Sequence, residues 1–349
     1  MCIFIPNSSW DIPNERITRN GLYDLEGVTI AVLDTRIRML LWLAKISGQS
    51  FNPKVSVRGM RASYVRLNQR FGIKHLTGVE TRECTIPTSD GATIHARLYR
   101  PVEAAGETLP VLLYFHGGGY VIGDVDAYDG LTRFFAREGR LAVLSVDYRL
   151  GPEQKFPTGF EDAFDSYAWL RASAVDLGID PDRVAVGGDS AGGGLSAGIA
   201  NYAESRGLPR PAFAFLIYPS VDGTARFPSR TRFTSGLPLT TETIAWFTQY
   251  STNGLGDDGK PLLVTLDAPH PERHPPAYVL AAQYDPLVDE GYAYVQRLRA
   301  AGVAVTYDLR KSLPHAFVNL AGVVPEAKGA LAAGIRATAT ALRAAGPTG

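Results

Sequence analysis

The sequence predicts an α/β protein: a mostly parallel central sheet flanked by helices, with a helical cap. Three observations carry this. From residue 111 onward, short apolar runs of strand length alternate with helical patterns. Ahead of them, Ser89-Asp90-Gly91 separates two β-rich runs, and Asp-Gly in that setting marks a hairpin turn. Finally, about 60 residues lie between Tyr218 and Tyr278, more than a crossover needs, so an insertion is expected there.

Taken in order, residues 1–75 carry helix-like periodicity and no strong strand signal, with Ile37, Leu40, Leu41 and Ala44 on one face. The apolar stretch 28–46 is interrupted by Asp34, Arg36, Arg38 and Lys45. It reads as an amphipathic helix and not as a membrane span. Runs 84–86 and 92–99 flank the hairpin turn and form an antiparallel edge. Strands are then expected at 111–115, 141–146, 184–186, 213–218, 278–282 and 303–307. Helices are expected at 126–138, 160–172, 191–205, 288–301 and 326–343, with another at 240–250 inside the insertion. The expected organisation is a helical segment over 1–75 and an α/β domain over 76–349. Residues 222–262 are inserted into that domain and are expected to pack with the N-terminal helices over the sheet edge.

With 349 residues, 45% of them hydrophobic, the chain can bury a large core without disulfide or metal. Its 35 basic and 35 acidic residues cancel, and no block of like charge is expected to act locally. Nucleic acid and stable membrane insertion are therefore excluded as partners. Two cysteines, Cys2 and Cys84, are too few for a disulfide framework, which suits a reducing, cytoplasmic setting. The N-terminus lacks the basic n-region and the length of a secretory signal. No cofactor or metal is expected, and a homodimer is a candidate assembly.

The chemistry concentrates at Gly188-Asp189-Ser190-Ala191-Gly192, between an apolar strand and a small-residue helix. Such a Gly-x-Ser-x-Gly turn exposes the serine hydroxyl above the sheet and aims the next backbone N–H at a developing oxyanion. A serine needs a base, usually a histidine oriented by a carboxylate. Of the six histidines, His75 enters the hairpin region, His95 lies in a strand, and His270 and His274 sit in a Pro-rich loop. His116 precedes three glycines and reads as a loop brace. His315 remains, following the strand at 303–307 through a loop that ends Leu313-Pro314. For the acid, Asp285 follows its strand most directly, with Asp289 and Asp308 as alternatives that only geometry separates. The second Gly-rich loop, His116-Gly117-Gly118-Gly119, also follows a strand. Gly117, Gly118 and Ala191 are the expected oxyanion donors, with Gly119 as conformational support.

His116-Gly-Gly-Gly, Tyr148-Arg-Leu-Gly-Pro-Glu153, Gly188-Asp-Ser-Ala-Gly-Gly193, Asp285-Pro-Leu-Val-Asp-Glu-Gly291 and His315-Ala-Phe317 resemble the bacterial hormone-sensitive-lipase-like (family IV) serine esterases over about residues 80–345. The resemblance implies an α/β-hydrolase core with a helical cap and a serine carboxylesterase acting on short-to-medium acyl esters of small molecules. It carries Ser190, Asp285 and His315 across as triad and Gly117, Gly118 and Ala191 as oxyanion hole. Gly151, Gln154 and Val288 depart from the family pattern. Acyl transfer or amide cleavage uses the same constellation. A non-catalytic ligand receptor on this scaffold is disfavoured because His315 is kept.

Other signals are discounted. His270 and His274 are four apart, but Pro271, Pro275 and Pro276 oppose the helix that would make them joint metal ligands. Asp162 and Asp165 read as surface or packing partners. Phe233, Leu237, Trp246, Phe247 and Tyr250 suit an acyl pocket and a core equally.

Overall fold

In the computed structural model, residues 33–46, 55–223, 226–253 and 265–345 are described. Among the described residues, eight strands form one sheet: β1 Val79–Pro87, β2 Thr93–Pro101, β3 Leu109–Phe115, β4 Ala142–Asp147, β5 Ile179–Asp189, β6 Phe213–Ile217, β7 Ala277–Tyr284 and β8 Val305–Pro314. Their spatial order is β1-β2-β4-β3-β5-β6-β7-β8. β2 runs antiparallel to both β1 and β4, and every other pairing is parallel. The helices are α1 Thr35–Ile46, α2 Val57–Phe71, α3 Val125–Gly139, α4 Thr158–Ala172, α5 Ala191–Tyr202, α6 Pro228–Arg232, α7 Thr241–Ser251, α8 Val288–Ala300 and α9 Pro325–Ala344.

The unbroken apolar sequence of β3 has a direct cause. All seven of its residues are buried, and the pleat divides them between two cores. Val111, Leu113 and Phe115 join the face packed by Tyr167 of α4, Leu195 of α5 and Leu298 of α8. Leu112 and Tyr114 join the opposite face, with Phe135 of α3 and Leu331 and Ile335 of α9. A strand exposed on one side would have shown alternation. Its absence fits a strand buried on both faces.

The hairpin forms as expected: Pro87 pairs with Thr93 across the turn, where Gly91 takes a φ of 85°. Helix α1 covers 35–46; residues 28–32 of the expected 28–46 helix lie outside the described residues, as does Cys2. Several boundaries differ from expectation, among them β1, which starts at Val79, ahead of the run at 84–86. β5 starts at Ile179, ahead of the apolar run, where its pairing with β3 shifts register between Leu109 and Val111. α5 stops at Tyr202, and a 3₁₀ turn over Glu204–Arg206 follows. β8 continues to Pro314 where a loop was expected after 307, because polar residues of a half-buried edge strand still pair: Asp308 with Leu280 and Arg310 with Ala282. Parallel strands end together, so Phe115, Asp189, Tyr284 and Pro314 deliver the following residues to one edge.

Candidate active site

At the end of β5 the chain turns through Ser190 with φ 54° and ψ −115°, a conformation costly for a residue with a Cβ, on the order of 1–3 kcal/mol. The turn is held on both sides: Ser190 N–H donates to Ile217 O at 2.9 Å, and Ser190 O accepts from Gly194 N at 3.0 Å and Ser220 N at 3.0 Å. Gly192 is required by close approach, since a Cβ there would enter the Phe115 and His116 carbonyls. Ser190 occupies the N-cap of α5 yet makes no capping bond. Its hydroxyl is turned to His315 instead.

The carboxyl edge assembles the expected triad. His315 Nε2 lies 2.8 Å from Ser190 Oγ, and His315 Nδ1 lies 2.7 Å from Asp285 Oδ2. Chemistry assigns the protons: the ring donates from Nδ1 to the carboxylate and accepts at Nε2 from the hydroxyl. Asp285 is fully buried at the end of β7, and its other oxygen accepts from Leu287 N at 2.7 Å. Tyr218 packs against the imidazole with ring centres 4.5 Å apart, and His315 N–H is tied to Tyr284 O at 3.1 Å. The alternatives for the acid are otherwise engaged. Asp289 accepts from Ser229 N, and Asp308 takes the Tyr278 hydroxyl and Arg310.

The oxyanion expectation needs one correction. Gly117 N–H donates to Asp189 Oδ1 at 2.9 Å and approaches the Tyr128 hydroxyl at 3.2 Å, so it is already satisfied, and Gly117 does not line the cavity. Gly118, Gly119 and Ala191 line the cavity beside Ser190. Gly119, expected only as support, replaces Gly117 as candidate donor. Gly118 takes φ 115°, and a Cβ on it would enter the Ile122 carbonyl. Ala191 is the first residue of α5, whose N-terminal amides are left over by the helix ladder and sit at its positive end.

Asp189, between Gly188 and the nucleophile, is the residue that sequence reasoning passed over. It is 2% exposed, and burial pushes its carboxyl above the usual range even though Tyr114 at 2.7 Å, Tyr128 at 3.0 Å and Gly117 N–H all donate to it. The Tyr128 hydroxyl continues to Tyr64 of α2 at 2.6 Å, and Asn319 Nδ2 donates to Tyr64 at 2.9 Å and to Asn68 Oδ1 at 2.8 Å. Arg61 fastens the same helix through Val121 O, Gly151 O and Glu153. A Cβ on Gly151 would enter the Tyr250 carbonyl, which accounts for glycine at that departure from the family pattern.

Above Ser190 and His315 lies a cavity of about 1170 Å³, walled by α2, α7 and the two Gly-rich turns. Of the aromatic and apolar residues singled out from the sequence, Phe247 lines it. Trp246 is 5% exposed and packs with Val121, Ile122 and Tyr250 in a small separate core, and Phe233 stands against Tyr284. Gln154 also lines the cavity, while Val288 is buried at the start of α8.

The remaining histidines have structural partners. His116 Nδ1 meets Gly117 O at 2.8 Å, its ring stacks on Tyr148 at 4.6 Å, and the Tyr148 hydroxyl donates to its carbonyl, as expected of a brace. His270 faces Glu272, whereas buried His274 bonds Pro275 O and is pushed down to about 4 by burial. Asp162 is buried in a fork with Arg149, and Asp165 accepts from Ser89.

A family model described as alpha/beta hydrolase fold matches residues 112–319, and the chain belongs to that family. Among curated relatives it is 42% identical over 272 residues to the carboxylic ester hydrolase LipN of Mycobacterium tuberculosis, covering 76% of this chain and 70% of that one. It is 39% identical over 250 residues to the ethyl acetate hydrolase of Pseudomonas putida, covering 70% and 78%. Among solved structures, an esterase from Pyrobaculum calidifontis superposes with TM-score 0.78 at 34% identity, covering 87% of this chain and 98% of that one. A thermostable esterase from Pseudomonas putida superposes with TM-score 0.83 at 29% identity, covering 89% and 98%.

Proposed function

We propose that this chain is a serine carboxylesterase that hydrolyses short-to-medium acyl esters through an acyl-enzyme on Ser190. The observation that carries the reading is the unbroken line from Ser190 Oγ through His315 to Asp285, at 2.8 and 2.7 Å. Ser190 attacks the ester carbonyl while His315 Nε2 takes its proton, and Asp285 holds the imidazolium formed. The carbonyl oxygen, now negative, is received by the amides of Gly118, Gly119 and Ala191. His315 returns the proton to the departing alkoxide, releasing the alcohol. Water, deprotonated by the same nitrogen, then attacks the acyl-enzyme and frees the acid and Ser190. The names of the relatives, ester hydrolases at 38–42% identity, support the reaction class.

Residues 1–75 and 222–262 serve in this reading as cap segments over a catalytic domain of 76–349. Support comes from the described parts of both, α2 and α7, which wall the cavity. A cytoplasmic setting fits the free, buried thiol of Cys84. No helix among the described residues is long and apolar enough to cross a membrane. A homodimer belongs to the same reading, and light scattering tests it.

Replacing Ser190 by Ala is expected to abolish turnover of p-nitrophenyl butyrate and labelling by a fluorophosphonate, with circular dichroism unchanged. Turnover that survives the substitution overturns the reading.

A further inference from the structure

We propose that Arg66 and Arg70 of α2 form an anion-recognition wall, so that the preferred esters carry a negatively charged group, a carboxylate in the simplest case, remote from the scissile carbonyl. This rests on the esterase reading and names its substrate class.

The first observation lies in the sequence. Between Thr35 and His75 there are nine Lys and Arg and not one Asp or Glu, in a chain whose charges otherwise cancel. The overall neutrality conceals a local block of like charge, contrary to the expectation drawn from the totals. Positive residues suit the C-terminal end of a helix dipole, which accounts for Arg70 in the last turn of α2. It does not account for Arg66 a turn earlier, or for an absence of acids that extends through α1 and α2.

The second observation is how the cavity treats its cations. Four arginines line it: Arg66, Arg70, Arg149 and Arg230. Two are paired with buried carboxyl groups, Arg149 with Asp162 at 2.6 Å and Arg230 with Glu290 at 2.7 Å. Arg66 and Arg70 face no carboxylate among the described residues. The Arg66 guanidinium donates to Ser63 Oγ at 2.9 Å, and that of Arg70 lies 5.3 Å from the centre of the Phe71 ring. Both residues are exposed, and both interactions leave the guanidinium charged. Even Arg61, on the same helix, has its carboxylate in Glu153.

The third observation is the lack of opposing charge. Among the described residues lining the cavity, the one carboxylate is Asp189, whose oxygens are taken by Tyr114, Tyr128 and Gly117. A cavity with two uncompensated guanidinium groups, lined elsewhere by apolar and neutral side chains, favours an anion and repels a cation. A carboxylate meets the planar guanidinium fork through paired hydrogen bonds, an interaction that a neutral alkyl chain cannot make.

The test compares charged and neutral esters of matched size in wild type, R66Q/R70Q and R66K/R70K. Mono-p-nitrophenyl glutarate against p-nitrophenyl pentanoate places the charge on the acyl side. Acetylated 4-hydroxybenzoate against its methyl ester places it on the alcohol side. The ratio of kcat/KM, charged over neutral, is expected to fall about tenfold or more in the Gln pair for one of the two arms. It is expected to be largely kept by the Lys pair and to shrink in wild type as salt rises to 0.5 M, where charges are screened within about 5 Å. The arm that responds identifies the side on which the anion lies. A ratio unmoved in both arms overturns the anion wall while leaving the esterase reading intact. A folded wild type that hydrolyses none of the four esters defeats the esterase reading itself.

Discussion

The amide of Gly117 donates to Asp189 Oδ1 at 2.9 Å, so the residue preceding the nucleophile holds the loop that carries Gly118 and Gly119. One buried carboxylate thereby ties the two Gly-rich turns together, and it acts through position because both its oxygens are engaged by donors. Asp189→Asn keeps the shape but presents an NH₂ group to one of those donors. The loop then loosens where the transition state is bound, and kcat is expected to fall about ten- to a hundredfold with little change in KM, given the 10²–10³ typical of losing one oxyanion donor outright. A KM effect with unchanged kcat would place Asp189 in substrate binding instead.

Gly192→Ala tests the packing of the elbow. The added Cβ would enter the Phe115 carbonyl, which is backbone of the central strand and has nowhere to go. A loss of about 1–3 kcal/mol or more is expected, read as a lowered Tm together with lost turnover. Ser196, also buried on α5, gives the contrast: it bonds only Gly192 O within its own helix, and Ser196→Ala is expected to leave both measurements near wild type.

Phe247 offers the most direct handle on acyl length. Its ring stands against Gly119, so that a Cβ on the glycine would fall inside the ring, and it lines the cavity next to the proposed oxyanion donors. Phe247→Ala removes this wall while leaving buried Trp246 to anchor α7. The preference for octanoate over butyrate p-nitrophenyl esters is expected to rise roughly tenfold, the scale of a methylene or more of pocket space. An unchanged chain-length profile would mean that the acyl chain runs elsewhere.

The sequence disclosed most of this site because parallel strands end together: once Ser190, Asp285 and His315 each follow an apolar run, their meeting is a matter of topology. What it concealed depends on contacts between distant segments. Gly117 and Gly119 are interchangeable on paper, and only the buried carboxylate of Asp189 decides which amide is free. A carboxylate between a buried strand and a buried helix does demand donors, and that demand was the available signal. β8 was cut short for a related reason, since the partners that make Asp308 and Arg310 strand residues lie in β7. The basic character of the N-terminal helices was readable all along, but totals over the whole chain averaged it away.

Glu290 makes stability depend on pH in a direction opposite to that of an ordinary ion pair. It is fully buried, receives Val221 N and Asp222 N on one oxygen and Arg230 at 2.7 Å on the other, and ties α6 to α8. Burial outweighs the arginine and pushes its carboxyl up to about 7, from an ordinary value of 4.5. The folded protein therefore holds a proton that the unfolded chain releases between those two values. The stabilising increment is complete below pH 4.5 and is lost as pH rises through 7. Glu290→Gln has no such titration. The gap in Tm between wild type and this variant is expected to widen in favour of wild type as pH falls from 8 to 5.5, by up to about 2 kcal/mol in stability. If the gap narrows on acidification, the charge of Arg230 outweighs burial and the carboxyl of Glu290 lies below its ordinary value in the folded protein.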